Sequence, residues 1–65
     1  MSQSFTPQLK KILRSAGCTF VRHGKGDHEI WINPATRKQF TVDGKILSRH
    51  TANAVLKEAG LPKAF

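Results

Sequence analysis

Apolar residues recur at helical spacing in two stretches, one near each end of the chain. The first predicted helix opens at Thr6 and Pro7, a capping residue followed by proline at the first helical position, and stops at Gly17. The second is capped by Ser48 and stops at Gly60. The stripes expected to face the core are Phe5, Leu9, Ile12, Leu13 and Ala16 in the first helix, and Ala52, Val55, Leu56 and Ala59 in the second.

Three short segments between these helices alternate apolar and polar residues as strands do. They cover residues 18–23, 28–33 and 38–42. Residues 24–27 (GKGD) form a predicted hairpin turn, which pairs His23 with His28, and residues 33–36 (NPAT) form a second turn. The same register pairs Val21 with Ile30 and Phe20 with Trp31.

The alternation divides the strand residues between two faces of the sheet. We expect Val21, Ile30, Ile32, Phe40 and Val42 to face the helices, and Phe20, Arg22, Glu29 and Trp31 to face away. The predicted fold is therefore α+β: a two-layer α-β-β-β-α sandwich with a three-stranded antiparallel sheet and two helices on one face. Residues 1–65 are expected to form one domain.

The charge balance favours an anionic partner. Eleven Lys and Arg residues oppose four acidic residues, for a net charge of +7, which suits RNA, DNA or an acidic protein alike. No apolar run approaches the roughly 20 residues of a membrane span, and cationic residues interrupt the first helix, so no signal peptide is expected. A single cysteine, Cys18, cannot form an internal disulfide and fits the reducing cytoplasm; we expect it to be a small buried thiol.

His28 is the strongest candidate for chemistry. It stands beside the glycine-rich turn with Lys25, where an imidazole could take a proton from an RNA 2′-hydroxyl or give one to the leaving oxygen. Lys25 and the Gly26 amide could stabilise the developing phosphorane charge. The structural alternative is a histidine that merely bonds a carbonyl at a strand end. We expect no metal site, because Cys18 and the histidines do not share a face and four ligands at zinc-like spacing are missing.

Phe20 and Trp31, expected to pair on the uncovered face of the sheet, are candidates for partner binding. Exposed aromatic pairs often mark protein interfaces. They could also stack RNA bases, or simply stiffen the hairpin.

The order of several motifs resembles the HicA family of toxins. These are Ala16-Gly17 after an amphipathic helix, Gly26-Asp27-His28 before Ile30-Trp31, and the closing helix around Thr51, Val55-Leu56 and Ala59-Gly60. The resemblance covers about residues 7–61. It implies a fold like that of double-stranded-RNA-binding domains, metal-independent cleavage of messenger RNA, neutralisation by a HicB antitoxin, and His28 as the active-site histidine.

Two positions depart from the family pattern. Asp27 stands where the family usually has serine; it could weaken substrate binding or orient His28. The third strand is followed by Asp43-Gly44-Lys45 where many members have Pro-x-His, which removes a second histidine. His23 could substitute for it locally, an inference from the predicted hairpin and not from the family.

Three functional hypotheses follow. The first is a toxin that cleaves messenger RNA in the cytoplasm, with His28 transferring protons and with Lys25, Gly26, Arg37 and Lys38 holding phosphate. The second is a non-catalytic module that binds double-stranded RNA. The third is a protein-interaction domain whose positive charge meets an acidic partner.

Overall fold

The fold follows the predicted order of elements. The computed structural model describes residues 4–65. Its elements are α1 (Thr6–Ser15), β1 (Thr19–His23), β2 (Glu29–Asn33), β3 (Lys38–Val42) and α2 (Arg49–Glu58). The strands form one antiparallel sheet in the order β1-β2-β3. The predicted α+β arrangement is thus confirmed, with strand ends within one residue of those expected.

The helix boundaries match the sequence signals with one exception. Ser48 caps α2 by accepting the His50 N–H at 3.1 Å. Gly17 and Gly60 follow the helices with φ of +91° and +79°, the left-handed conformation that glycine adopts freely. Thr6, however, does not cap α1. Its hydroxyl donates to the Asp43 carbonyl at 3.1 Å and accepts the Ile46 N–H at 3.0 Å, so it fastens α1 to the segment after β3.

The β1–β2 register follows the prediction at Thr19 and Phe20 but differs from it between Phe20 and the hairpin turn. Phe20 lies opposite Trp31 as expected, but a bulge at Val21 places Arg22 opposite Ile30. The predicted Val21–Ile30 and His23–His28 pairs are therefore wrong, and His23 lies opposite Glu29 instead. A bulge adds one residue to one strand and shifts every later pair.

The assignment of faces in β2 was also wrong. Trp31 pairs with Phe40, which faces the helices as predicted, so Trp31 lies on that same face and is only 3% exposed. Its neighbours Ile30 and Ile32 consequently point to the face without helices, where they are half-buried. Val21, expected inside, is 42% exposed. Both faces of β2 carry apolar residues, so alternation alone could not choose between them.

The core lies between the helices and β2–β3. Its buried residues are Leu9, Leu13, Cys18, Trp31, Phe40, Val42, Ile46, Ala52, Val55, Leu56 and Ala59. The predicted stripe of α2 is entirely buried, whereas Ala16 of the α1 stripe is exposed. Asn33 is a buried polar member whose side-chain amide donates to the Ala59 carbonyl at 2.6 Å. This bond joins the C-terminal end of α2 to one end of the sheet. The loops around His28 lie at the other end of the sheet.

Candidate functional site

The His28 imidazole lies against the Asp43 carboxylate at one end of the sheet. The imidazole Nε2 lies 2.8 Å from Asp43 Oδ1, and the two side chains are 47% and 43% exposed. Glu29 pairs with Val42, so His28 and Asp43 occupy the next position of the same antiparallel register. The ring is therefore oriented by a carboxylate and open to solvent.

Tight contacts hold the two loops at this end together. An added Cβ on Gly44 would stand 2.8 Å from Asp27 Oδ2 and 3.0 Å from the Asp27 carbonyl oxygen, so glycine is needed there for the loops to approach. Thr6 binds the Asp43 carbonyl from the α1 side. Asp27 consequently packs against Gly44, and the carboxylate that orients His28 belongs to Asp43.

The proposed phosphate ligands fall at two distant places. Lys25 and Gly26 lie in the loop that leads to His28, where the Lys25 carbonyl accepts the His28 N–H at 3.2 Å. Arg37 and Lys38 follow the β2–β3 turn at the other end of the sheet. Lys38 and Arg37 lie five and six residues before Asp43, which at about 3.3 Å per strand residue corresponds to roughly 17–20 Å. The structure thus brings Lys25 and Gly26 to His28 but does not bring Arg37 or Lys38 there.

The aromatic pair of β1 and β2 lies on the helix side, which corrects the expectation that it occupies the uncovered face. Trp31 is covered by Arg14 of α1, whose guanidinium carbon stands 5.5 Å from the ring centre. Phe20 meets Trp31 edge to face at 6.4 Å and His23 at 5.1 Å, yet stays 45% exposed. Trp31 cannot offer its ring to a partner, whereas Phe20 can.

Glu29 connects α1 to this aromatic pair. Its Oε1 accepts the Trp31 indole N–H at 2.9 Å and lies 3.1 Å from Lys10 Nζ. The pKa of Glu29 lies below its ordinary value because the Trp31 hydrogen bond and the Lys10 ammonium stabilise the carboxylate, with a further contribution from His23, while partial burial opposes them. Glu29 therefore remains an anionic acceptor at neutral pH.

Other candidate chemistry is limited in the described part of the chain. Within residues 4–65 no three His, Cys, Asp or Glu side chains are grouped to hold a metal ion. Cys18 is buried as predicted, and burial raises the pKa of its thiol, which disfavours the reactive thiolate. No helix in that range has the length and apolar character needed to cross a bilayer.

Sequence reasoning missed Asp43 as the partner of His28. A detectable signal was present: a turn after Asn33 that pairs this residue with Lys38 also places His28 opposite Asp43 when the register is extended. The roles of Lys10 and Arg14 had no such signal, because they depend on how α1 crosses the sheet.

Comparison with known proteins agrees with the arrangement of these motifs. Residues 7–61 match the family model described as HicA toxin of bacterial toxin–antitoxin systems. No curated protein and no solved structure matches the chain. The family match spans nearly the whole sequence and includes the histidine loop, the sheet and the closing helix, so the chain belongs to the HicA family of toxins.

Proposed function

We propose that this toxin is an endoribonuclease that cleaves messenger RNA without a metal ion, using His28 for proton transfer. The observation that carries the proposal is the solvent-open imidazole that a carboxylate orients at 2.8 Å, in a chain of the HicA toxin family. Such a function belongs in the cytoplasm, where messenger RNA is translated.

The reaction exchanges one phosphorus–oxygen bond for another, and the protein has to move only the accompanying protons. The 2′-hydroxyl oxygen attacks the adjacent phosphorus, its proton passes to a base, and the bond from phosphorus to the 5′-oxygen breaks as that oxygen gains a proton. The products are a 2′,3′-cyclic phosphate and a 5′-hydroxyl. Because Nε2 of His28 donates to Asp43, Nδ1 is the nitrogen left to exchange a proton with RNA. Lys25 and the Gly26 amide, in the loop that leads to His28, are the candidates to stabilise the phosphorane charge.

The test compares two histidine variants in excess chelator. His28→Ala should lower the cleavage rate by about 10²–10⁴-fold, the usual contribution of general acid–base catalysis. His50→Ala is the matched control, because His50 is an exposed histidine at the start of α2, outside the proposed site. The wild type and the control should yield cyclic-phosphate ends. Equal cleavage by the His28→Ala protein would refute the assignment, and tight binding to duplex RNA without product would favour a non-catalytic RNA-binding module.

A toxin of this family implies a cognate antitoxin. We propose that a HicB protein inhibits the chain by covering His28 and the loop that carries Lys25. The toxin's net charge of +7 would speed association with an acidic surface. The association rate should therefore fall as salt rises, and a rate independent of salt would contradict electrostatic docking.

A further inference from the structure

A pocket between α1 and the β1–β2 hairpin lies beside the His28 loop. Its volume is about 490 Å³, within the roughly 300–1,000 Å³ typical of small-molecule sites. The residues that matter here are Lys10, Arg14, Phe20, His23, Glu29 and Trp31, and we call this the α1–β1 pocket. Its hairpin end is formed by His23 and Glu29, which directly precede Gly24 and follow His28 in the chain.

Three different chemical groups line the α1–β1 pocket. Phe20 offers a half-exposed aromatic ring that its edge-to-face contacts with Trp31 and His23 hold in place. Arg14 is exposed and has no acidic partner among residues 4–65. Glu29 receives both of its described donors on Oε1, which leaves Oε2 to accept from a ligand.

A nucleotide complements all three groups at once. A nucleobase presents a planar face that stacks on an aromatic ring, a phosphate suits an arginine, and an exocyclic amino group donates to a carboxylate. Protein segments seldom combine a planar aromatic face, an anion and an amino donor within one residue.

We propose that the α1–β1 pocket binds one unpaired nucleotide of the RNA substrate, with the base stacked on Phe20, its amino group on Glu29 and its phosphate on Arg14. The inference rests on the proposed function, since it assumes that RNA is the substrate. It extends the binding surface from the His28 loop along α1. Two carboxylates, Asp27 and Asp43, stand close to His28 and repel phosphate, so cationic contacts away from that loop are needed to hold the strand.

The first test measures binding apart from cleavage. Fluorescently labelled eight-nucleotide oligo(C) is titrated with the His28→Ala protein, which is expected to leave the RNA intact. Adding Phe20→Ala or Phe20→Leu should weaken binding about tenfold, the contribution of one stacked base. Leu47→Ala is the control, because Leu47 is an exposed apolar side chain outside the pocket. Trp31, the only tryptophan of the chain, should change its emission when oligo(C) binds.

The second test concerns the base. Cytosine carries an exocyclic amino group and uracil does not, so oligo(C) should bind about fivefold more tightly than oligo(U). Glu29→Gln offers an amide that donates as well as accepts, and it should remove this preference. Unchanged affinity in both Phe20 variants, or an unchanged oligo(C) preference in Glu29→Gln, would overturn the pocket assignment.

These outcomes are separate from those of the proposed function. If the wild type cuts RNA through His28 while the Phe20 variants bind and cut normally, the nuclease stands and the pocket assignment is wrong. If the Phe20 variants lose binding but no protein cuts RNA, the pocket binds RNA and the nuclease proposal fails. Binding of an acidic peptide with loss of affinity in Phe20→Ala, without any binding of oligo(C), would overturn the nucleotide assignment in favour of a protein ligand.

Discussion

Asp43 should contribute only modestly to the turnover rate through its contact with His28, and the exposure of the two side chains sets the expected magnitude. The contact is close, at 2.8 Å, but both side chains are more than two-fifths exposed. Water screens such pairs, and measured couplings of exposed ion pairs are about 0.2–1 kcal/mol. Replacing Asp43 with asparagine should therefore slow turnover by only about 1.4- to 5-fold. In serine proteases, where the orienting aspartate is buried, the equivalent change costs about 10⁴-fold.

The same variant should bind RNA more tightly. Asp43→Asn removes a negative charge from the place where phosphate must bind, so KM for RNA should fall, most clearly at low salt. Asparagine still offers an oxygen to the Nε2 proton, whereas alanine does not. Asp43→Ala should therefore slow turnover further than Asp43→Asn, and the difference measures how much orientation of the ring contributes.

The assay is cleavage of one defined RNA over a range of RNA concentrations, with His28→Ala as the baseline. A slowing of turnover in Asp43→Asn by about 10²-fold or more would lie far beyond the range for exposed pairs. It would mean that water does not weaken the interaction between Asp43 and His28 as assumed. If turnover were unchanged in both Asp43 variants, the contact would not position the imidazole. Either result would refute the reasoning.

Three further predictions concern stability, each measured by urea denaturation followed through Trp31 emission. Gly44→Ala should destabilise the fold by about 1–3 kcal/mol because its methyl group meets Asp27; wild-type stability would contradict the close approach. The Glu29 carboxylate, whose folded-state pKa is depressed, should contribute fully above its unfolded pKa of about 4.3 and lose that contribution as pH falls through the folded value. Glu29→Gln should therefore unfold with a shallower pH dependence than the wild type below about pH 5, and equal slopes would exclude this linkage. Arg37 has φ of +61°, a conformation that glycine adopts freely, so Arg37→Gly should raise the free energy of unfolding by up to about 1 kcal/mol. Cleavage should be unchanged because Arg37 lies far from His28. Slower cleavage would show that Arg37 does contribute to RNA binding.

Local sequence preferences were enough to predict the helices and strands and the exposed position of His28, the residue on which the proposed function depends. Pro7, Gly17, Ser48 and Gly60 mark helix ends through local backbone preferences, whereas the bonds of the Thr6 hydroxyl depend on the distant residues Asp43 and Ile46. The exposed position of His28 followed from its place in a polar, glycine-rich turn. Helix ends and turn positions depend mainly on residues adjacent in the chain, so they can be predicted from the sequence alone.

Packing between distant segments was needed to choose which face of β2 turns inward and what surrounds His28. Alternation separates Trp31 from Ile30 and Ile32 but does not say which set meets the helices, and the pairing of Trp31 with Phe40 makes that choice. The bulge in β1 shifts His23 to Glu29. The crossing of α1 over the sheet then brings cationic side chains to the aromatic pair, because such contacts are set by packing and register, which no local preference encodes.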